Sequence, residues 1–181
     1  DEKSVNNIAS YKIDKVIHIK NASLLSYNPL AYVEAIEKII TENQPDLVAF
    51  GHTYEARDWV PRLSARLDLP FISDCTKIKF DSNIIYTRQT YQGKIACNVK
   101  SSSKTTLFSV QSGSYRSDEA TQESSCSIID QEIELSDDQR IQQEDKFQES
   151  TGTVDLANAN LIVSIGRGIE KEENITLAEE L

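Results

Sequence analysis

The spacing of apolar residues changes several times along this chain, and each change predicts an element. Residues 14–20 (DKVIHIK) read as a strand, and Asn28-Pro29 follows as a polar cap with proline at the first helical position. Tyr32, Ile36, Ile39, Ile40 and Asn43 then fall at helical spacing, and Pro45 forbids continuation, so a helix is expected over 29–43. Residues 46–52 (DLVAFGH) form the short apolar run of a buried parallel strand, which makes strand, helix and strand a crossover unit. A second helix is expected from a cap at Asp58, with Pro61 in its first turn and Val60, Leu63 and Leu67 on one face; Pro70 then opens a strand, PFIS.

From residue 83 the period shortens. NIIYTRQTYQGKIACNVK holds two β-rich runs around Gln92-Gly93, and TTLFSV (105–110) adds a third, all read as antiparallel strands appended to the sheet. Residues 111–153 are rich in Ser, Gln, Asp and Glu and are expected to be poorly ordered, apart from an edge strand built on Ile128, Ile129, Ile133 and Leu135. Apolar patterning returns at 161–165 as a strand, followed by a Gly166-Arg167-Gly168 turn and a helix in EENITLAEEL with acidic residues in its first turn.

Composition narrows what such a chain does. With 181 residues and 39% apolar positions it has material for one ordinary domain and an appendage. No run approaches the roughly 18 apolar residues of a membrane span, so no membrane insertion is expected. Eleven Asp/Glu stand against Arg116, Arg140 and Lys146 between 116 and 150, so most of the net charge of -10 sits there. That charge argues against nucleic acid or an anionic membrane as a partner. Cys75, Cys97 and Cys126 show no metal-ligand spacing and read as reduced thiols of a cytosolic or matrix protein; no metal site is expected.

Two segments carry candidate chemistry. Gly166-Arg167-Gly168 lies at the carboxyl end of an expected strand, where open α/β sheets place ligands, and its guanidinium suits a phosphate or an electron-rich flavin ring. Taken alone, the same turn is an ordinary βα connection with an exposed arginine. GHTYEARDWVPRLSARLDLP sets His52, Thr53, Arg57, Asp58 and Arg62 around the end of another strand. His52 has no recognisable serine or cysteine nucleophile beside it, so no catalytic residue is assigned. Arg57 with Asp58 reads as a cap and a surface ion pair, Trp59 as a packing residue, and His18 as a satisfied sheet-face residue.

Read in order, PDLVAFGHT, RDWVPRLSARLDLPFISD, YTRQTYQGKIACNV, TTLFSV, the acidic stretch and NLIVSIGRGIEKEENITLAEEL resemble the alpha (large) subunit of electron transfer flavoproteins. Ala56 and Ile165 stand where glycine is usual in that family, and Gln89 where proline is usual. The resemblance implies a three-layer α/β/α, adenine-nucleotide-hydrolase-like (Rossmann-like) sheet with appended antiparallel strands. It implies an N-terminal α/β domain over 1–115, an acidic variable region over 116–153 and the opening strand and helix of an FAD-binding domain over 154–181. A first βαβ unit before residue 1 and most of the FAD-binding domain after residue 181 are expected to be missing, so FAD binding by this chain is expected to be weak or absent.

Of the family's flavin contacts only the arginine of the GRG turn carries over, as Arg167. The implied role is that of an electron carrier rather than a catalyst. It pairs with a beta subunit in a heterodimer and passes electrons by FAD from acyl-CoA and other dehydrogenases to a quinone oxidoreductase, as in fatty acid β-oxidation, in a bacterial cytoplasm or mitochondrial matrix. Two other readings stay open at this stage: an adenine-nucleotide-binding α/β domain using the loop after residue 51, and a pure subunit-interaction module.

Overall fold

The computed structural model describes residues 2–123, 126–136, 138, 140–142, 144 and 161–180. The chain divides into two compact units, Asp1–Gln143 and Glu144–Leu181. The first contains α1 (Glu2–Ala9), β1 (Lys15–Lys20), α2 (Pro29–Asn43), β2 (Leu47–Gly51), α3 (Tyr54–Leu67), β3 (Phe71–Phe80), β4 (Ile84–Thr90), β5 (Ile95–Val99), β6 (Thr106–Val110) and β7 (Ser127–Glu132). Its main sheet is mixed and five-stranded, in the order β2-β6-β3-β4-β5, with flanking helices; this is an α/β fold of Rossmann-like type.

Local chemistry explains the helix ends. The Asn28 side chain accepts from the Leu30 and Ala31 amides at 2.9 and 3.3 Å, and Pro29 opens α2 as its ring allows. Gln44 closes α2 in the left-handed region at φ 44°, directly before Pro45. For α3 the structure corrects the expected cap: the helix starts four residues before Asp58, because Thr53 Oγ1 accepts from the Ala56 amide at 3.1 Å. Pro61 therefore sits in the second turn, where it withholds the N–H that the Arg57 carbonyl would otherwise accept. Thr53→Ala is expected to cost about 1 kcal/mol of unfolding free energy, read from urea denaturation, whereas Asp58→Ala should leave the start of the helix intact.

Strand order holds the larger correction. β6 is not an appended antiparallel strand: it lies between β2 and β3 and runs parallel to both, pairing Leu107 with Val48 and with Phe71. Its residues Thr106 to Ser109 are all buried, as befits a strand covered on both faces. The antiparallel pairings are β3 with β4 and β4 with β5, the latter two joined by a turn in which Tyr91, Gln92 and Gly93 all have positive φ.

β3 is longer than the expected PFIS and changes partner along its length. Phe71 and Ile72 pair parallel with β6, the register shifts before Cys75, and Lys77 to Phe80 pair antiparallel with β4. Asp74 lies within this irregularity at φ 59°, a bulge that re-aims the strand.

Alternation along these strands divides the core in two. Leu107, with Val48, Phe50 and Phe71 around it, packs against Val33 and Ile40 of α2 and Leu63 of α3. Phe108, one residue on, points the other way and joins Ile72, Cys75 and Tyr86.

β1 and β7 form a separate parallel pair in which His18 lies opposite Asp130. His18 Nδ1 is 2.9 Å from Asp130 Oδ1 and Lys20 Nζ donates to Asp130 Oδ2 at 2.7 Å, so the histidine is a satisfied sheet-face residue as its alternation implied. β7 realises the strand expected within the acidic stretch. The segment after it is tied to α2: Lys38 donates to the Glu134 carbonyl, and the Ser136 amide and hydroxyl both donate to the Glu34 carboxylate. Those Ser136 bonds, assisted by Lys38, hold the Glu34 carboxyl below its usual range. The poor order expected over 145–153 concerns residues outside those described.

The second unit holds no sheet among its described residues. Residues 161–166 carry no regular structure, and Leu161, Ile162, Val163 and Ile165 are exposed. The strand expected at 161–165 is thus absent: an apolar run needs a neighbouring edge to pair its backbone groups, and residues 161–180 offer none. A 3-10 turn at Arg167–Ile169 follows, and a second at Glu172–Ile175 runs into α4 (Thr176–Glu179), a shorter helical segment than EENITLAEEL suggested.

Candidate functional site

β2, β6 and the parallel first part of β3 end on one edge of the main sheet, the edge at which open α/β sheets receive ligands. A cleft of ≈ 360 Å³ opens there, lined by His52, Arg57, Pro61, Phe71, Ser73, Asp74 and Arg88. His52 follows β2, Arg57 and Pro61 come from the first two turns of α3, Ser73 and Asp74 from the bulge of β3, and Arg88 from β4.

A hydrogen-bond chain positions the histidine. Ser109 Oγ, fully buried in β6, accepts from the Asp74 amide at 3.0 Å and lies 2.8 Å from His52 Nδ1. In the tautomer that lets the buried serine donate to Nδ1, the ring N–H is on Nε2. Nε2 stands 3.8 Å from Asp74 Oδ1, an ion-pair distance too long for a hydrogen bond. Serine, histidine and aspartate are thus gathered, but in an order that serves positioning. Ser109 is inaccessible and already hydrogen-bonded, so it is no nucleophile.

Of the residues singled out in GHTYEARDWVPRLSARLDLP, the structure brings only His52 and Arg57 into the cleft. Thr53 is occupied as the cap of α3. Asp58 pairs with Arg62 at 3.0 Å, not with Arg57 as expected, since residues four apart share a helix face and adjacent ones do not. The Tyr27 hydroxyl donates to Asp58 at 2.8 Å, and with Arg62 it lowers the Asp58 carboxyl below its usual range. Arg57 instead lies over the Tyr54 ring, 5.5 Å from its centroid. Trp59 packs, edge-on to Phe50 at 5.2 Å and stacked on Tyr32 at 5.9 Å.

Asp74, Arg88 and Ser109 carried no local signal. Reading TTLFSV as a parallel strand would have placed Ser109 on the ligand edge.

Arg167 belongs to the second unit. It opens the Arg167–Ile169 turn, exposed, with no side-chain hydrogen bond or ion pair among the described residues. A Cβ added at Gly166 or Gly168 would meet nothing within 4 Å, so the space beside the turn is open. Measured against a dinucleotide, residues 161–180 offer one bidentate donor and no enclosing wall, which is one contact and not a pocket.

Comparison with known proteins bears on both units. The model of the electron transfer flavoprotein domain family matches residues 1–136. The electron transfer flavoprotein subunit alpha of Bacillus subtilis (strain 168) is 31% identical over 94% of this chain and 53% of its own length. That of Thermoanaerobacterium thermosaccharolyticum is 28% identical over 99% and 56%. The acryloyl-CoA reductase electron transfer subunit beta of Anaerotignum propionicum is 27% identical over 99% and 58%. The chain thus spans about half the length of the curated relatives it matches.

Proposed function

The chain belongs to the electron transfer flavoprotein domain family, and from that premise we propose that it is part of an electron carrier that works with a beta subunit and FAD. The observation that carries this reading is the match of the family's domain to the α/β unit at 1–136, together with relatives named for electron transfer that extend over residues 161–180. In this reading the flavin supplies the redox chemistry, and the polypeptide binds and orients it and meets protein partners. The electrons come from acyl-CoA and other dehydrogenases and go to a quinone oxidoreductase. The 1–115 region is the α/β domain, 116–153 a variable acidic region, and 154–181 the opening of the flavin domain, with Arg167 as its one flavin contact here. No helix among the described residues is long and apolar enough to cross a membrane.

Coexpression with the cognate beta subunit tests the reading. The protein carrying this chain is expected to copurify with that subunit as a yellow heterodimer that an acyl-CoA dehydrogenase reduces. Failure to associate, or a flavin-free complex that accepts no electrons, would refute it.

A further inference from the structure

The cleft beside β2 and β3 gathers two guanidiniums and a histidine against a single carboxylate, that of Asp74, 3.8 Å from His52 Nε2. Arg57 has the Tyr54 ring beneath it but no carboxylate partner. Arg88 is half-buried, and its Nε is closed off from solvent without a hydrogen-bond partner. Leaving that N–H unpaired is costly, and the charge of an anion seated in the cleft would offset part of the cost. His52 adds a third donor, because Ser109 fixes its Nδ1 and leaves Nε2–H without a hydrogen bond. One group opposes an anion: Asp74, whose carboxylate also lines the cleft. Two guanidiniums and an N–H outweigh it locally.

We propose that this cleft binds a phosphoryl oxyanion, held by Arg57 and Arg88 and oriented by the Nε2–H of His52. Guanidinium forks match the oxygens of a phosphate, and the site lies on the sheet edge where such ligands seat. The cleft's ≈ 360 Å³ far exceeds one phosphate, and Pro61 and Phe71 give it an apolar wall, so a mononucleotide-sized body is accommodated behind the phosphoryl group. None of these residues belongs to 161–180, so the proposal stands apart from the flavin reading.

Titration of the whole chain with inorganic phosphate and with AMP, followed by calorimetry and by thermal midpoint, tests it. Both are expected to bind, and Arg57→Gln and Arg88→Gln are each expected to weaken binding by on the order of tenfold. Tighter binding of AMP than of phosphate identifies a nucleotide as the occupant; equal binding identifies free phosphate. No heat and no midpoint shift with either at millimolar concentration overturns the proposal. So does a shift reproduced by sodium chloride at matched ionic strength, or unchanged affinity in Arg57→Gln. Arg57 is exposed on α3, so that variant folds even where Arg88→Gln does not.

Discussion

Replacing Leu107 by alanine is expected to lower the unfolding free energy by about 2–5 kcal/mol, the range for a leucine lost from a well-packed core. Leu107 is fully buried on an interior strand of the main sheet, paired on one side with Val48 and on the other with Phe71. Its side chain is where α2 and α3 meet the strands, through Val33, Ile40 and Leu63. Truncation leaves a void walled by three elements that are also held to one another, so collapse fills it only in part. Against the 5–15 kcal/mol typical of a domain, that loss is large enough to populate the unfolded state. Leu25, 89% exposed, is the control: its alanine variant should stay within about 0.5 kcal/mol of the parent. Urea denaturation gives both values. A loss under about 1 kcal/mol for Leu107→Ala would mean that the helices do not seat on β6 as described.

The importance of Leu107 follows from a placement that the sequence pattern misassigned. α2 was legible because its signals are local: Asn28 and Pro29 at one end, Pro45 past the other, and apolar residues at helical spacing between. β2 was legible for the same reason. The place of β6 was not, since which strand lies beside which is settled by contacts between residues far apart in the chain, and TTLFSV follows two strands that are antiparallel. Its mixture of apolar and hydroxyl residues resembles theirs, and only the burial of both its faces separates it. The start of α3 was misread for a smaller reason. Thr53 and Asp58 are both residues that cap helices, and the choice went to the one whose oxygen reaches an amide three residues on.

The same distinction runs through the sites. His52 and Arg57 were visible because one short segment carries them, but the serine that fixes His52 lies 57 residues away and the aspartate that faces it sits in a bulge. No local pattern marks a bulge that forms only where a strand changes partner. The apolar run at 161–165 shows the converse, since strand-like composition does not make a strand without an edge to pair with. The turn expected after it does form, at Arg167–Ile169 ahead of a helical segment, but no strand leads into it, so the sheet-edge position read for its arginine is not met.

Arg167→Ala, tested in the heterodimer formed by the protein carrying this chain, is expected to weaken FAD retention roughly tenfold to a hundredfold. This follows from the proposed flavin contact: a hydrogen bond to a charged group contributes about 1.5–3 kcal/mol, and about 1.4 kcal/mol is a factor of ten in affinity. The guanidinium makes no hydrogen bond or ion pair among the described residues, and the turn it opens is held by backbone bonds, Ile169 N–H to Gly166 and Glu170 N–H to Arg167. Removing the side chain should therefore leave folding and association with the beta subunit intact, which separates lost flavin binding from lost structure. Arg167→Lys keeps the charge but loses the planar fork, so its retention should fall between the parent and the alanine variant. Flavin content after gel filtration and the dissociation constant from flavin fluorescence read the effect. Equal retention in all three proteins would remove Arg167 from the flavin site and leave it an exposed arginine on a surface turn.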